Sequence, residues 1–129
     1  MKKVITTAHA PAAIGPYSQA IDSGDLIFIS GQIPIIPETG KLLEGDIRIQ
    51  TNQVMKNIGA ILTAAGLQFG NLVKCTCFLA DIADFKEMNE VYGSYFTSEP
   101  PARAAFQVAK LPLGAKIEID AIAVRLALA

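Results

Sequence analysis

The run Ile117-Glu118-Ile119-Asp120-Ala121-Ile122-Ala123-Val124, close to the C-terminal end of the chain, restricts the fold more than any other stretch. Branched and small apolar residues of this kind favour a strand. Alternation places Ile117, Ile119, Ala121 and Ala123 on one face, and Glu118, Asp120, Ile122, Val124 and Leu126 on the other. A strand apolar on both faces is normally covered on both. Glu118 therefore meets limited water, and a carboxylate so placed needs a partner or a task. Upstream, the segment from Pro101 reads as a second strand, joined to the first by a proline-glycine turn at Pro112–Gly114. In it Ala104, Phe106 and Val108 share one face, and Arg103, Ala105 and Gln107 the other. The bulk of Phe106 and Val108 marks theirs as the core face, which puts Arg103 opposite, among small residues.

The 129 residues are expected to form one domain, 1–129, with a core of its own. Hydrophobic residues make up 51% of the chain, rich for a domain this small, and point to a further buried surface such as a subunit interface. A formal net charge of -1 leaves no electrostatic footprint for nucleic acid or an anionic membrane. No apolar run approaches the ~20 residues of a membrane span. The N-terminal MKKVITTAHAP lacks the continuous apolar segment of a signal peptide, so a soluble cytoplasmic protein is expected. Cys75 and Cys77 flank Thr76 and point the same way from one strand, side by side and poorly placed for a disulfide. With His9 as the one histidine, a four-ligand metal site is not expected, and both thiols read as small core side chains.

In order, residues 2–7 read as a strand, 9–16 as a loop, and 17–22 and 26–30 as two strands of a hairpin turning at Asp22-Ser23-Gly24-Asp25. Pro34 and Pro37 argue against regular structure around them. Asp46 is an N-cap for a helix to about Ala65, with Gly66 as its stop. Its stripe is Ile47, Thr51, Val54, Ile58, Ile61, Leu62 and Ala65. Leu72–Leu79 is a strand, and a second helix runs from about Ile82 to Phe96 on Phe85, Met88, Tyr92 and Tyr95. The expected class is α+β, in the order βββ-α-β-α-ββ. A mixed sheet would carry both helices on one face, and the other face would be covered by further copies.

Three motifs carry a family resemblance. APAAIGPYSQA, SGQIP, and PAR followed by LP and IEIDAIAV resemble the signatures of the RidA (YjgF) family of enamine/imine deaminases. The similarity covers nearly the whole chain in order. It implies a chorismate-mutase-like fold, a homotrimer with sites between subunits, and chemistry without cofactor or metal. It further implies that Arg103 holds a ligand carboxylate and that Glu118 works through a bound water. Tyr17 would line the pocket, Ser30 and Gly31 would offer backbone to the ligand, and Asn89 and Pro112 would border the site. Many relatives have cysteine where this chain has Ala105. Thiol catalysis there is excluded, while the backbone of Ala105 can still bind ligand.

The residues alone leave other readings open. Arg103 could be a solvated or acid-paired strand arginine, and Glu118 could pair with Arg103 or Arg125. Tyr17 could be a rim aromatic and Gly31 a turn residue, and Asn89 lies off the helix's apolar stripe. Phosphate-loop, dinucleotide and nucleophile-elbow motifs are absent. The resemblance implies hydrolysis of 2-aminoacrylate and 2-aminocrotonate, through their imines, to 2-keto acids and ammonia. The rivals are a ribonuclease or translation inhibitor, which the charge disfavours, and a 2-keto-acid-binding regulator or holdase.

Overall fold

The computed structural model describes residues 2–125; Leu126, assigned above to the face of Glu118, lies outside them. Three antiparallel strands come first: β1 (Lys3–Ile5), β2 (Ala20–Asp22) and β3 (Leu26–Gln32). A two-stranded hairpin of β4 (Ile35–Ile36) and β5 (Lys41–Leu42) follows. Then come α1 (Ile47–Ala64), β6 (Leu72–Leu79), α2 (Phe85–Gly93), β7 (Ala102–Gln107) and β8 (Ile117–Val124). The main sheet has the order β1-β2-β3-β8-β6-β7, antiparallel except for the parallel β6–β7 pair. The α+β expectation, with a mixed sheet and two helices, is met.

Helix α1 forms where its caps and stripe place it. The Asp46 side chain accepts from the Ile49 N–H at 2.9 Å. At the other end Gly66 takes φ 76°, Gly66 N donates to Thr63 O, and Leu67 N donates to Leu62 O, closing a Schellman motif. Ile47, Val54, Ile58, Ile61 and Leu62 are buried against Ile27, Ile29, Ile117 and Ile119 of the sheet. Cys75 and Cys77 are buried free thiols in the same core, as expected.

Four expectations need correction. The residues around Pro34 and Pro37 do form strands, because two amides from α1 anchor them. Asn57 Nδ2 donates to Ile35 O at 3.0 Å, and Gln50 Nε2 donates to Leu43 O at 3.0 Å. Strand β2 begins at Ala20 rather than Tyr17, since the chain ahead of it is tied into a loop by Gln19. The second helix opens as a 3-10 turn over Ile82–Asp84 and ends at Gly93. The final two strands are not neighbours: β6 lies between them, antiparallel to β8 and parallel to β7.

That insertion also reverses one face. On edge strand β7, α2 covers the side carrying Arg103 and Ala105, in register with buried Cys75 and Cys77. Phe106 points the other way, 44% exposed, with its ring edge-on to Phe78 at 5.4 Å between centroids. Val108 lies past the strand and is only partly buried. Among the described residues, no helix is long and apolar enough to cross a membrane.

Replacing Asp46 by alanine removes the N-cap acceptor and should cost about 1 kcal/mol. Urea unfolding should show a lower midpoint with an unchanged slope; an unchanged midpoint would mean that water satisfies the Ile49 N–H equally well.

Candidate functional site

The cleft begins with a buried amide. Gln19 is 3% exposed, and its Nε2 donates to Pro11 O at 2.7 Å and Thr7 O at 3.0 Å, while its Oε1 accepts from Thr7 N at 2.7 Å. This ties the loop from Thr7 to Pro11 onto the sheet. Gly15, at φ 125°, then turns the chain so that Tyr17 N donates to Gly15 O and the Tyr17 hydroxyl accepts from Ile14 N. The Tyr17 ring stays half-exposed over the cleft.

Ser30 and Gly31 form the opposite wall. The pairing of β3 with β8 runs Ile29 to Ala121 and then Gln32 to Ile119, so two residues of β3 oppose the single residue Asp120. The chain bulges there instead of ending, which corrects the expectation of a strand end at Ser30. The Ser30 hydroxyl donates to Ser18 O at 2.5 Å and its N–H to Gln19 O at 3.0 Å, so its side chain is spent on the loop. At Gly31 a Cβ would lie 2.1 Å from Glu118 Oε2. The carboxylate therefore rests on the bare backbone of Gly31, and the glycine serves close approach rather than a turn.

Glu118 is half-buried and has no ion-pair partner among the described residues. Burial, and then the Asp120 carboxylate on the same strand face, push its pKa above the ordinary carboxylate value. The like-charge repulsion between the two carboxylates is the smaller cause. The cleft around it encloses about 580 Å³, with Ile14, Ile33, Pro112 and Leu113 among its walls. Leu113 sits at φ 58°, a conformation that side chains seldom adopt, directly after Pro112.

Arg103 and Asn89 form a second cluster. The guanidinium Nη1 donates to Asn89 Oδ1 at 2.5 Å, and its carbon lies 5.4 Å from the Phe85 ring centre and 5.0 Å from that of Tyr92. A recess of about 390 Å³ adjoins it, bounded by Pro100, Pro101 and Phe96. No acid among the described residues pairs with Arg103, and Arg125 is taken by Asp22 at 2.5 Å. Within one chain, then, Glu118 pairs with neither Arg103 nor Arg125 among the described residues. Asn89 is exposed, as its place off the apolar stripe implies, and it still reaches Arg103 because Phe85, Asn89 and Tyr92 follow one another by four and three.

Cross-strand register shows how the clusters relate. Glu118, Phe78 and Phe106 form one row across β8, β6 and β7, on the face away from the helices. Ala121, Cys75 and Arg103 form a row on the helix face. Tyr17, Ser30, Gly31, Pro112 and Glu118 therefore meet in one cleft, while Arg103, Asn89 and Ala105 lie on the other side of the sheet. Sequence reasoning missed Gln19, Ile33, Ile35 and Leu113 around the cleft. It read Phe85 and Tyr92 only as core, where the four-and-three spacing with Asn89 was the available signal. Among the described residues no cluster of histidine, cysteine or carboxylate side chains could hold a metal ion.

Comparison with known proteins agrees across the chain. The family described as Endoribonuclease L-PSP matches residues 7–125. The human protein named 2-iminobutanoate/2-iminopropanoate deaminase is 53% identical over 125 residues, covering 97% of this chain and 91% of its own. The crystal structure of the Escherichia coli YjgF gene product matches with a TM-score of 0.92 and 48% identity, covering 96% of this chain and 99% of that one. Escherichia coli TdcF, solved with bound serine, gives a TM-score of 0.92 and 46% identity over 96% of this chain and 99% of that one.

Because folding raises the Glu118 pKa, the folded state favours its protonated form. The stabilising contribution is full below the unfolded pKa and is lost as pH rises through the folded pKa. Glu118→Gln, uncharged at every pH, should therefore melt higher than wild type at pH 7. The gap should close as pH falls through the carboxylate range. Thermal melts across pH check this; a gap that persists in acid would point to a cause other than charge.

Proposed function

The chain belongs to the family described as Endoribonuclease L-PSP, the RidA or YjgF proteins, and we propose that it hydrolyses reactive 2-imino acids to 2-keto acids and ammonia. The observation that carries this reading is Glu118: a half-buried carboxylate, without an ion-pair partner among the described residues, laid on Gly31 in an apolar cleft. With its pKa raised, it is a stronger base than an ordinary carboxylate, suited to taking a proton from water near neutral pH. The substrates are the 2-imino forms of 2-aminoacrylate and 2-aminocrotonate, in keeping with the relative's name.

In this mechanism Arg103 grips the substrate carboxylate with its planar fork. Water held by Glu118 adds to the C=N carbon, its proton passing to the carboxylate, and a carbinolamine results. Glu118 returns the proton to nitrogen, the C–N bond breaks as the hydroxyl oxygen forms the C=O, and the hydroxyl proton passes through Glu118 to the departing ammonia, which leaves as ammonium together with the 2-keto acid. Tyr17 and Pro112 border the substrate, and the backbone of Gly31 and Ala105, with the Ser30 carbonyl oxygen, supplies polar contacts to it. Asn89 steadies Arg103. The reaction needs neither cofactor nor metal, since a protonated imine is already electrophilic and asks for positioning and proton transfer. The carboxylate-headed, largely apolar cleft gives no support to RNA phosphate as the ligand.

We infer further that residues 1–129 act as one domain in a chorismate-mutase-like homotrimer. Arg103 and Glu118 lie on opposite faces of one chain's sheet, so a ligand touching both requires two copies. The face away from the helices is apolar and open, with Val4 53%, Phe28 43% and Phe106 44% exposed, as an interface between copies would be.

Arg103→Ala should abolish measurable binding of pyruvate, a loss on the order of 2–5 kcal/mol, and turnover with it. Glu118→Gln should cut turnover while pyruvate binding stays within about threefold. Ammonia release from 2-aminoacrylate generated in situ, with titration calorimetry of pyruvate, tests both. Pyruvate binding by Arg103→Ala like wild type removes the clamp, and full turnover by Glu118→Gln removes the base. For the assembly, light scattering should give three chains for wild type at micromolar concentration. Phe28→Lys should give monomers without turnover; a wild-type monomer would refute the shared site.

A further inference from the structure

We propose that Phe85 and Tyr92 are positioning residues for Arg103. Their rings, with the Asn89 amide oxygen, hold the guanidinium in place without neutralising it. The inference rests on the assignment of Arg103 as the carboxylate clamp. It explains how a chain can hold a half-buried arginine ready for an anion when no ligand is bound.

A partly desolvated guanidinium is most simply held by a carboxylate, but that partner would occupy the fork and cancel the charge a ligand must meet. This chain supplies none: among the described residues no acid pairs with Arg103. One face of α2 instead presents Phe85, Asn89 and Tyr92, one turn apart each. The guanidinium carbon lies 5.4 Å and 5.0 Å from the two ring centres, within reach of the attraction between a cation and an aromatic face. A ring attracts the cation but takes up none of its N–H groups. Among the described residues the fork of five donors gives one hydrogen bond, to Asn89, and keeps the rest for a carboxylate.

The rings are themselves fixed. Tyr92 is 4% exposed, and its ring centre lies 5.0 Å from that of Phe96. Its buried hydroxyl has the Cys75 thiol as its neighbour and makes no hydrogen bond to Arg103. Burial also drives the phenol's pKa upward, so the ring stays neutral. What remains in use is the ring face, and a phenylalanine could supply it.

Titration calorimetry with pyruvate, and with pyruvamide as its uncharged counterpart, tests this on the intact protein. Tyr92→Phe should keep the pyruvate Kd within about twofold. Tyr92→Leu and Phe85→Leu should each raise it about tenfold while leaving pyruvamide unchanged. Asn89→Asp, exposed and the same size, should raise the pyruvate Kd at least tenfold without lowering the melting temperature. That variant keeps the proposal testable if Tyr92→Leu does not fold. If Arg103→Ala binds pyruvate like wild type, the clamp assignment itself fails. If Arg103→Ala loses binding but Phe85→Leu and Asn89→Asp bind like wild type, the positioning role alone is overturned. Equal losses for pyruvate and pyruvamide, or loss of affinity in Tyr92→Phe, would also overturn it.

Discussion

Strand β8 is hydrogen-bonded along both edges, to β3 and to β6, and this double pairing governs the rest of the molecule. A strand held on both sides cannot rotate or slip without breaking two ladders, so its period of two becomes a fixed division of labour. Ile117, Ile119, Ala121 and Ala123 are committed to the helix layer and are all but fully buried. Glu118 and Asp120 are committed to the other face by the same geometry. Within the bulge, Gly31 lacks the side chain that would otherwise meet Glu118, and the carboxylate settles against backbone.

The chain holds its charges in different ways, and the contrast separates structure from candidate chemistry. Arg125 is a structural cation: Nη2 pairs with Asp22 at 2.5 Å, and Nη1 donates to Ala65 O at 3.0 Å beside the end of α1. Asp22 is held below the ordinary carboxylate range, first by the Gly24 N–H and then by Arg125. Arg48 likewise joins α1 to Glu87 and Glu90 of α2. Glu118 and Arg103 have no such partners among the described residues. A charge kept half out of water without a counter-charge costs stability. Both sit beside open recesses, where a ligand could offset that cost.

The division by faces also shapes the proposed assembly. Covering the helix side consumes both helices, and among the described residues nothing remains to cover Phe28, Phe78 and Phe106 on the other side. Arg103 and Glu118, the proposed clamp and base, are separated by the thickness of the same sheet. An association that buries the apolar face and one that completes the site would then be a single event, which couples folding, assembly and activity in the proposed function.

Much of this was legible along the chain. Local chemistry determined α1, because Asp46, the 3.6-residue stripe and Gly66 act over a few residues. Alternation determined which residues of β8 face together, and the motif residues marked Arg103 and Glu118. The sequence could not say that β6 would lie between β7 and β8. That outcome depends on the parallel β6–β7 pairing across α2, a long-range contact with no local signature. From it followed the reversal on β7, where Phe106 is outside and Arg103 lies against α2, although bulk alone argued the opposite. Nor could sequence separate Phe85 and Tyr92 as core residues from Phe85 and Tyr92 as the bed of an arginine, since both uses need the same ring at the same helical spacing. Periodicity fixes which side chains share a face; only the packing of distant elements decides what that face meets.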